Sequence, residues 1–260
     1  MLLVLLLAGC GSSPRRERPA PQPTPAPRTD VAAIARRAHV PVLCYHQVRE
    51  PTAADGADAL PYIVRPRSLE RQMDALDRAG YTPVSGAALV AHLARGAALP
   101  RKPVLITFDD ASAGQWSAAL PILRRHGFTA TFFVMTVVLD KPGWLSRRQV
   151  RALDRQGMEI GAHTWDHSAV PDYEGADWTE QLAEPKLELQ RLVGHPVRLF
   201  AYPFGAWSAA AFPNLRRVGF AAAFQLAEAA DPRAPLWTIR RIIVPDVSGG
   251  ELLRRMRAAF

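Results

Sequence analysis

Short apolar segments alternate with longer amphipathic segments along the chain, from about residue 40 onward. The short segments predict strands, and the apolar run at 103–108 (PVLITF) is typical of a strand buried on both faces. The longer segments repeat apolar residues every three or four positions and predict helices. The predicted strands are 41–46 (PVLCYH), 81–85 (YTPVS), 103–108, 128–135 (FTATFFVM), 158–163 (MEIGAH), 197–204 (VRLFAYPF), 220–226 (FAAAFQL) and 238–244 (TIRRIIV). The predicted helices begin near Ser68, Ser85, Trp116, Ser146, Pro185, Ser208 and Ser248.

This alternation of strands and helices indicates an α/β fold with parallel strands, because each helix can supply the crossover to the next strand. A series of such units over about 200 residues favours a distorted TIM-like (β/α) barrel over an open doubly wound sheet. No helix opens on a glycine-rich phosphate fingerprint, which argues against a nucleotide-binding fold. Barrels of this kind carry their chemistry at the carboxyl ends of the strands.

The amino terminus predicts targeting to a membrane. Its apolar run is too short to span a bilayer, and residues 7–10 (LAGC) resemble the lipobox of bacterial lipoproteins, in which the cysteine carries lipid. We therefore expect a signal segment at 1–10, a flexible proline-rich tether at 11–38 and a globular domain at 39–260. A plain secretory signal is the alternative. With a lipidated Cys10, the domain is expected at the extracytoplasmic face of the cell envelope.

Composition adds an excess of positive charge, with a formal net charge of +8 and a pI near 10.2. The arginines are scattered through predicted helices, often as pairs such as Arg36-Arg37, so solvated helix faces explain them better than a nucleic-acid interface does. We expect a monomer that does not bind nucleic acid. Cys44 lies within an apolar strand and is expected to be a small core residue.

Three predicted strands end in residues that can carry chemistry. The strand at 103–108 is followed by Asp109 and Asp110, the strand at 158–163 ends in His163 with His167 four residues later, and a third ends in 202–205 (YPFG). One aspartate and two histidines suit Zn²⁺ or another divalent ion, if a helical turn brings the histidines together. Taken singly, the three features could also be a helix cap, two unrelated surface histidines and an ordinary turn.

In this order and at these strand ends, TFDD (107–110), HTWDH (163–167) and YPFG (202–205) resemble three motifs of the polysaccharide deacetylases, carbohydrate esterase family four. The resemblance implies a distorted β/α barrel in which Asp109 is the catalytic base. It implies that Asp110, His163 and His167 bind a divalent metal, with Zn²⁺ expected first and Co²⁺ or Ni²⁺ as alternatives. It also implies that the Phe204 backbone N–H stabilises an oxyanion, and Tyr202 and Trp237 are further candidates for substrate contact.

The chain departs from the usual family pattern in ways that point to a permuted member. The family's acid is usually a histidine near the carboxyl terminus, but no histidine follows His195 here. Because a barrel is cyclic, the first strand can supply this residue, and His46 matches the corresponding position in the branch that resembles biofilm poly-N-acetylglucosamine deacetylases. The arginine usually found before the third motif is replaced by Ala201, so Arg240 or Arg241 is expected to orient Asp109.

The resulting hypothesis is a metal-dependent hydrolase that removes N-acetyl groups from a cell-surface polysaccharide containing N-acetylglucosamine. Two alternatives remain open at this point. The first is an O-acetyl esterase acting on xylan or peptidoglycan, and the second is a glycan-binding barrel without catalytic activity.

Overall fold

The computed structural model describes residues 30–226 and 228–260. Ten strands are present among them: β1 (Val42–Tyr45), β2 (Gln47–Val48), β3 (Ile63–Val64), β4 (Thr82–Pro83), β5 (Pro103–Phe108), β6 (Thr131–Val134), β7 (Glu159–Ala162), β8 (Leu199–Ala201), β9 (Ala222–Phe224) and β10 (Ile242–Ile243). The helices are α1 (Val31–Arg37), α2 (Pro66–Arg78), α3 (Gly86–Arg95), α4 (Leu120–Arg125), α5 (Arg147–Arg155), α6 (Glu184–Val193), α7 (Ala211–Val218) and α8 (Gly249–Ala259).

The main sheet is parallel throughout and curls back toward its first strand. Its order is β10-β1-β5-β6-β7-β8-β9, with β4 paired to the start of β5. Beyond β9, the Ile239 N–H donates to the Ala223 carbonyl at 3.0 Å, and the Gln225 N–H donates to the Ile239 carbonyl at 2.9 Å. The segment that leads into β10 therefore links β9, at one edge of the sheet, to β10 at the other edge. This arrangement confirms the predicted α/β class and the distorted (β/α) barrel.

Strand β5 occupies the centre of the sheet, as its continuous apolar sequence predicts. It pairs with β1 on one side and with β6 on the other, and the residues of 104–108 are all buried. Phe108, at its carboxyl end, stacks on Tyr45 and Phe132 at ring-centroid distances of 5.3 and 5.0 Å. The acidic pair that follows β5 is thus held on a rigid, fully packed strand.

Most helix boundaries follow their sequence signals. Ser85, Ser146 and Ser248 cap α3, α5 and α8, and Ser146 forms a reciprocal capping box with Gln149. The helix predicted from Trp116 instead begins as a wide π-type turn at Gln115–Ala119 before α4. Pro121 explains the difference, since it has no N–H with which to continue a regular α-helical ladder.

The structure differs from the predicted tether at its carboxyl end, where α1 is a helix. The Asp30 carboxylate accepts a hydrogen bond from the Ala33 N–H at 3.0 Å and caps this helix. Ala33 and Ile34 are buried, and α1 packs against α3. The folded part thus includes residues from 31, because one face of this segment is apolar. The predicted signal segment, Cys10 and the rest of the tether lie outside the described residues. Within the described part of the chain, no helix is both long and apolar enough to cross a membrane.

Candidate active site

The carboxyl ends of the parallel strands meet around one cleft with a volume of about 290 Å³. Strand β1 leads to His46, β5 to Asp109 and Asp110, and β7 to His163. The residues that line the cleft are His46, Gln47, Ala59, Tyr62, Asp109, Asp110, His163, His167, Tyr202, Phe204, Gly205 and Leu226. Seven of the ten side chains singled out by the sequence therefore line this cleft. Arg241 contacts one of them, Asp109, while Trp237 and Arg240 are not among the lining residues.

Asp110, His163 and His167 form a compact set of metal-ligand atoms. Asp110 Oδ1 lies 3.2 Å from His163 Nε2 and 3.4 Å from His167 Nε2. Ligand atoms at the corners of a tetrahedral zinc site are about 3.3–3.6 Å apart, given bonds of about 2.0–2.2 Å. Asp110 Oδ1 is buried and has no hydrogen-bond partner among the residues described here. An orphaned carboxylate oxygen between two imidazole nitrogens fits a divalent cation.

A hydrogen bond from Nδ1 fixes the orientation of the His163 ring. His163 Nδ1 lies 2.8 Å from the Ala201 carbonyl, which can only accept, so Nδ1 carries the proton and Nε2 is free to bind a cation. Burial by itself would lower the pKa of His163, but the Asp109 and Asp110 carboxylates raise it above its ordinary value. Burial, with the neighbouring His163, lowers the pKa of His167 to about 4, which keeps its ring neutral and suited to metal binding.

The two histidines do not meet on the helical turn that the sequence suggests. The segment after β7 is an irregular bend in which the His167 N–H donates to Thr164 Oγ1 at 2.9 Å. Five residues at the site have the left-handed backbone conformation that is costly for side chains other than glycine: Asp110, Ala111, Thr164, His167 and Phe204. Such strain concentrates at functional sites, where the surrounding structure holds the backbone in place.

Asp109 is buried and forms a two-pronged ion pair with Arg241. Arg241 Nη1 donates to Asp109 Oδ1 at 2.6 Å and Nη2 donates to Oδ2 at 2.7 Å. The same guanidinium donates to Thr107 Oγ1 and to the Gln225 carbonyl, both at 3.1 Å. Burial alone would raise the pKa of Asp109, but Arg241 outweighs it and holds this pKa well below its ordinary value. Asp109 is therefore an anion held in one orientation.

Of the two arginines that the sequence left open, Arg241 is the one that contacts Asp109. Arg240 points the other way, where its Nη1 donates to the Ala259 carbonyl at 3.4 Å. Adjacent residues of an extended segment face opposite sides, so only one of the pair can enter the barrel.

Trp237, a candidate for substrate contact, is not among the residues that line the cleft. Its carbonyl accepts a hydrogen bond from the Tyr202 hydroxyl at 2.9 Å, and its ring lies against the Arg216 guanidinium at 5.4 Å. Trp237 thus positions the buried Tyr202 from behind. Tyr202 and Phe204 do line the cleft, and the Phe204 side chain is 67% exposed at its rim.

His46 enters the cleft at the end of β1, the strand that pairs with β5, and its ring lies close to Asp109. One of its ring nitrogens, an Asp109 carboxylate oxygen and the Cys44 sulfur all lie within 4.8 Å of one another. Its ring packs edge-on against Tyr62 at a centroid distance of 4.9 Å. Burial lowers the pKa of His46 from its ordinary value. The first strand therefore places an ionisable ring beside the acidic pair, as the permuted arrangement predicts.

Two buried side chains, to which the sequence assigned no role in the site, support it. The Gln115 amide donates to the carbonyls of His46 at 3.0 Å and Asp109 at 2.5 Å, so it ties the end of β1 to the end of β5. Burial raises the pKa of the Cys44 thiol, which stays protonated and donates to Asp109 Oδ2 at 3.5 Å. A buried glutamine in a wide helical turn leaves no periodic signal, so only the fold reveals its role.

Comparison with known proteins agrees with this geometry. Residues 96–223 match the family model described as polysaccharide deacetylase. The chain contains a polysaccharide deacetylase domain. This match includes the motifs at 107–110, 163–167 and 202–205, while β1 and Arg241 lie outside the matched range.

Two curated relatives of the deacetylase domain are named for N-acetylglucosamine polymers. The Bacillus cereus protein named peptidoglycan-N-acetylglucosamine deacetylase is 28% identical over 152 residues, covering 58% of this chain and 54% of that protein. The Escherichia coli protein named poly-beta-1,6-N-acetyl-D-glucosamine N-deacetylase is 22% identical over 247 residues, covering 78% of this chain and 36% of that protein. The chain thus spans about half and about a third of the lengths of these two relatives.

The fold of the deacetylase domain extends beyond the matched range. The structure of the Streptococcus pyogenes deacetylase PplD in complex with acetate superimposes with a TM-score of 0.76 at 24% identity, covering 84% of this chain and 97% of that chain. The shared fold therefore includes the strands on either side of the matched range.

Proposed function

We propose that the deacetylase domain is a metal-dependent hydrolase that removes N-acetyl groups from a cell-surface polysaccharide containing N-acetylglucosamine. The observation that carries this proposal is one cleft that holds a preformed Asp-His-His ligand set together with a buried, arginine-held carboxylate and a histidine. The names of the two curated relatives support N-acetylglucosamine as the sugar. The two relatives are named for different polymers, so the glycosidic linkage of the substrate has to be determined by experiment.

The residues divide the reaction between them. A divalent cation held by Asp110, His163 and His167 would polarise the acetyl carbonyl and lower the pKa of a water molecule to about 7. The Asp109 carboxylate accepts the proton of the attacking water, and Arg241 keeps that carboxylate charged and oriented. The Phe204 N–H, in a turn held by the Gly205 N–H bond to the Tyr202 carbonyl at 3.0 Å, donates to the developing oxyanion.

Collapse of the tetrahedral intermediate requires a proton for the leaving amine. His46, at the end of the neighbouring strand β1, supplies this proton, so that the nitrogen leaves as a neutral amine. Because burial lowers the pKa of His46, the resting ring favours its neutral form, so His46 must first take up a proton, and it then donates this proton as a stronger acid than free imidazolium. The base and the acid thus come from different strands, β5 and β1.

A membrane location completes the proposal. We place the domain at the extracytoplasmic side of the cell envelope as a monomer, held by a lipid on Cys10 through a proline-rich tether. Metabolic labelling with a radioactive fatty acid is expected to label the chain and not its Cys10→Ser variant. An unlabelled chain would contradict the anchor without affecting the catalytic proposal.

Acetate release tests the proposed reaction. The purified chain, stripped of metal and reloaded with Zn²⁺, Co²⁺ or Ni²⁺, is given β-1,6-linked and β-1,4-linked N-acetylglucosamine oligomers, and both acetate and new free amine are quantified. We expect acetate and free amine in equal amounts. The His195→Ala variant should keep the activity of the unmodified chain, and the Asp109→Asn variant should lose at least about 100-fold. Full activity of Asp109→Asn would contradict the mechanism. Acetate from acetylated xylan without any free amine would instead indicate an O-acetyl esterase, and glycan binding without acetate would indicate a binding module.

A further inference from the structure

A second cluster of metal-binding residue types lies on the outside of the barrel. Glu70 and Asp74 are one turn apart on α2, and His126 caps the carboxyl end of α4. Their ligand atoms all lie within 4.8 Å of one another. We call Glu70, Asp74 and His126 the outer cluster. None of its members belongs to the three motifs that point to the active site.

The environment of His126 is not that of an ordinary surface ion pair. The His126 side chain is only 10% exposed, and its Nε2 is buried without a hydrogen-bond partner in the described part of the chain. Glu70 Oε1 lies 3.3 Å from Nε2 and Asp74 Oδ1 lies 3.6 Å from it, and neither carboxylate makes a hydrogen bond with this nitrogen. A buried, unpaired nitrogen between two carboxylates costs free energy unless something else binds it.

The spacing of these atoms suits a cation. Distances of 3.3 and 3.6 Å from Nε2 match the separation of about 3.3–3.6 Å between ligand atoms of tetrahedral zinc. The active-site set, at 3.2 and 3.4 Å, has the same spacing. One imidazole and two carboxylates are a donor set that zinc accepts, with water in the fourth position.

Two arginines hold the carboxylates in place from behind. Arg125 Nη2 pairs with Glu70 Oε2, and Arg78 Nη1 lies 4.0 Å from Asp74 Oδ2. Arg125 Nε also reaches Glu70 Oε1, at 3.4 Å. Asp74 thus has one oxygen toward Arg78 and the other toward His126, while Arg125 contacts both oxygens of Glu70, including the one that faces His126. Such outer contacts orient ligands and keep them ionised, and Arg125 lowers the pKa of Glu70 accordingly.

We propose that Glu70, Asp74 and His126 form a second divalent-metal site, suited to Zn²⁺, which clamps α2 to the end of α4. Because the site exists only when these helices are packed together, bound zinc stabilises the folded chain over the unfolded one. The clamp is structural and takes no part in the deacetylase reaction.

Zinc stoichiometry tests the proposal. The untagged full chain is stripped of metal, dialysed against a fixed free Zn²⁺ concentration and assayed for zinc per chain by elemental analysis. We expect two zinc ions in the unmodified chain, one in His126→Ala, one in His167→Ala, and none in the double variant. His195→Ala is the matched control, because His195 also lies beside a carboxylate, with its Nε2 2.7 Å from Asp154, and this variant should keep two ions.

Thermal unfolding with and without Zn²⁺ gives an independent readout. In the His167→Ala background, zinc should raise the melting temperature, and adding His126→Ala should abolish the rise. If His126→Ala misfolds, the isosteric variants Glu70→Gln and Asp74→Asn should each weaken zinc binding at least about tenfold. Failure of His167→Ala to bind zinc would overturn the proposal, as would two ions retained in all outer-cluster variants. Neither result depends on whether the chain deacetylates a glycan.

Discussion

A single buried guanidinium organises the acidic half of the cleft. Arg241 is fully buried, and its donors satisfy Asp109, Thr107 and the Gln225 carbonyl together. Burying two charges is tolerable only when the geometry satisfies both of them. The sequence predicts that an arginine from Arg240–Arg241 serves Asp109, but it cannot choose between them, because the choice depends on which face of an irregular segment points inward.

Replacing Arg241 with lysine tests how much the stability of the domain depends on the forked shape of the guanidinium. Arg241→Lys keeps the charge but loses the fork that grips both oxygens of Asp109, so we expect a loss of about 2–3 kcal/mol in unfolding free energy. Urea denaturation measures it. The neighbouring Arg240→Lys serves as the control and should cost less than about 1 kcal/mol. Equal losses of unfolding free energy in the two variants would contradict a stabilising role for the Arg241–Asp109 ion pair.

At the level of elements, strands and capped helices could be predicted, whereas the loops that build the site could not. Strand β5 and the caps of α3, α5 and α8 follow local rules of periodicity and hydrogen bonding. The left-handed residues Asp110, Thr164 and His167 follow no such rule, because tertiary contacts rather than local preference hold them. For this reason the HTWDH segment is a bend, although the spacing of its two histidines would also suit a helical turn.

Helix α1 gives a first test at this scale. Ile34 is buried, so Ile34→Ala should destabilise the domain by about 2–5 kcal/mol. Val31→Ala, on the same helix but 38% exposed, should change the stability by less than about 0.5 kcal/mol. Urea unfolding of both variants distinguishes a packed helix from a loose tether, since in a tether both changes would be neutral.

The contact between the π-type turn and β2 gives a second test. A Cβ added at Gly114 would lie 2.1 Å from the Val48 carbonyl oxygen, so Gly114→Ala should force the turn away from β2 and cost about 1–3 kcal/mol. It should also reduce deacetylase activity, because the adjacent Gln115 links His46 and Asp109. Gly56→Ala is the control, because no atom lies within 4 Å of a Cβ added there, and this variant should leave stability and activity unchanged. An unaffected Gly114→Ala variant would mean that this contact is not needed.

On the scale of the whole molecule, closure of the barrel places the first strand of the domain beside the acidic pair. Strand β1 lies between β10 and β5, so the first strand of the domain is a central strand that carries His46 to the cleft. The cyclic order of a barrel made this position predictable from the absence of a late histidine. The contact of Arg241 with Asp109 and the position of Trp237 outside the cleft lining were not predictable, since both depend on the path of 235–241 as it closes the barrel.

The rate of acetate release by His46→Gln is the most direct test of this account. Glutamine keeps the polar shape but cannot protonate the leaving amine, so kcat should fall by about 100-fold or more, while the zinc content of the active site stays the same. His195→Gln, measured beside it, should retain the unmodified kcat. If His46→Gln lowers kcat no more than His195→Gln does, the first strand does not supply the acid, and the proposed mechanism is contradicted.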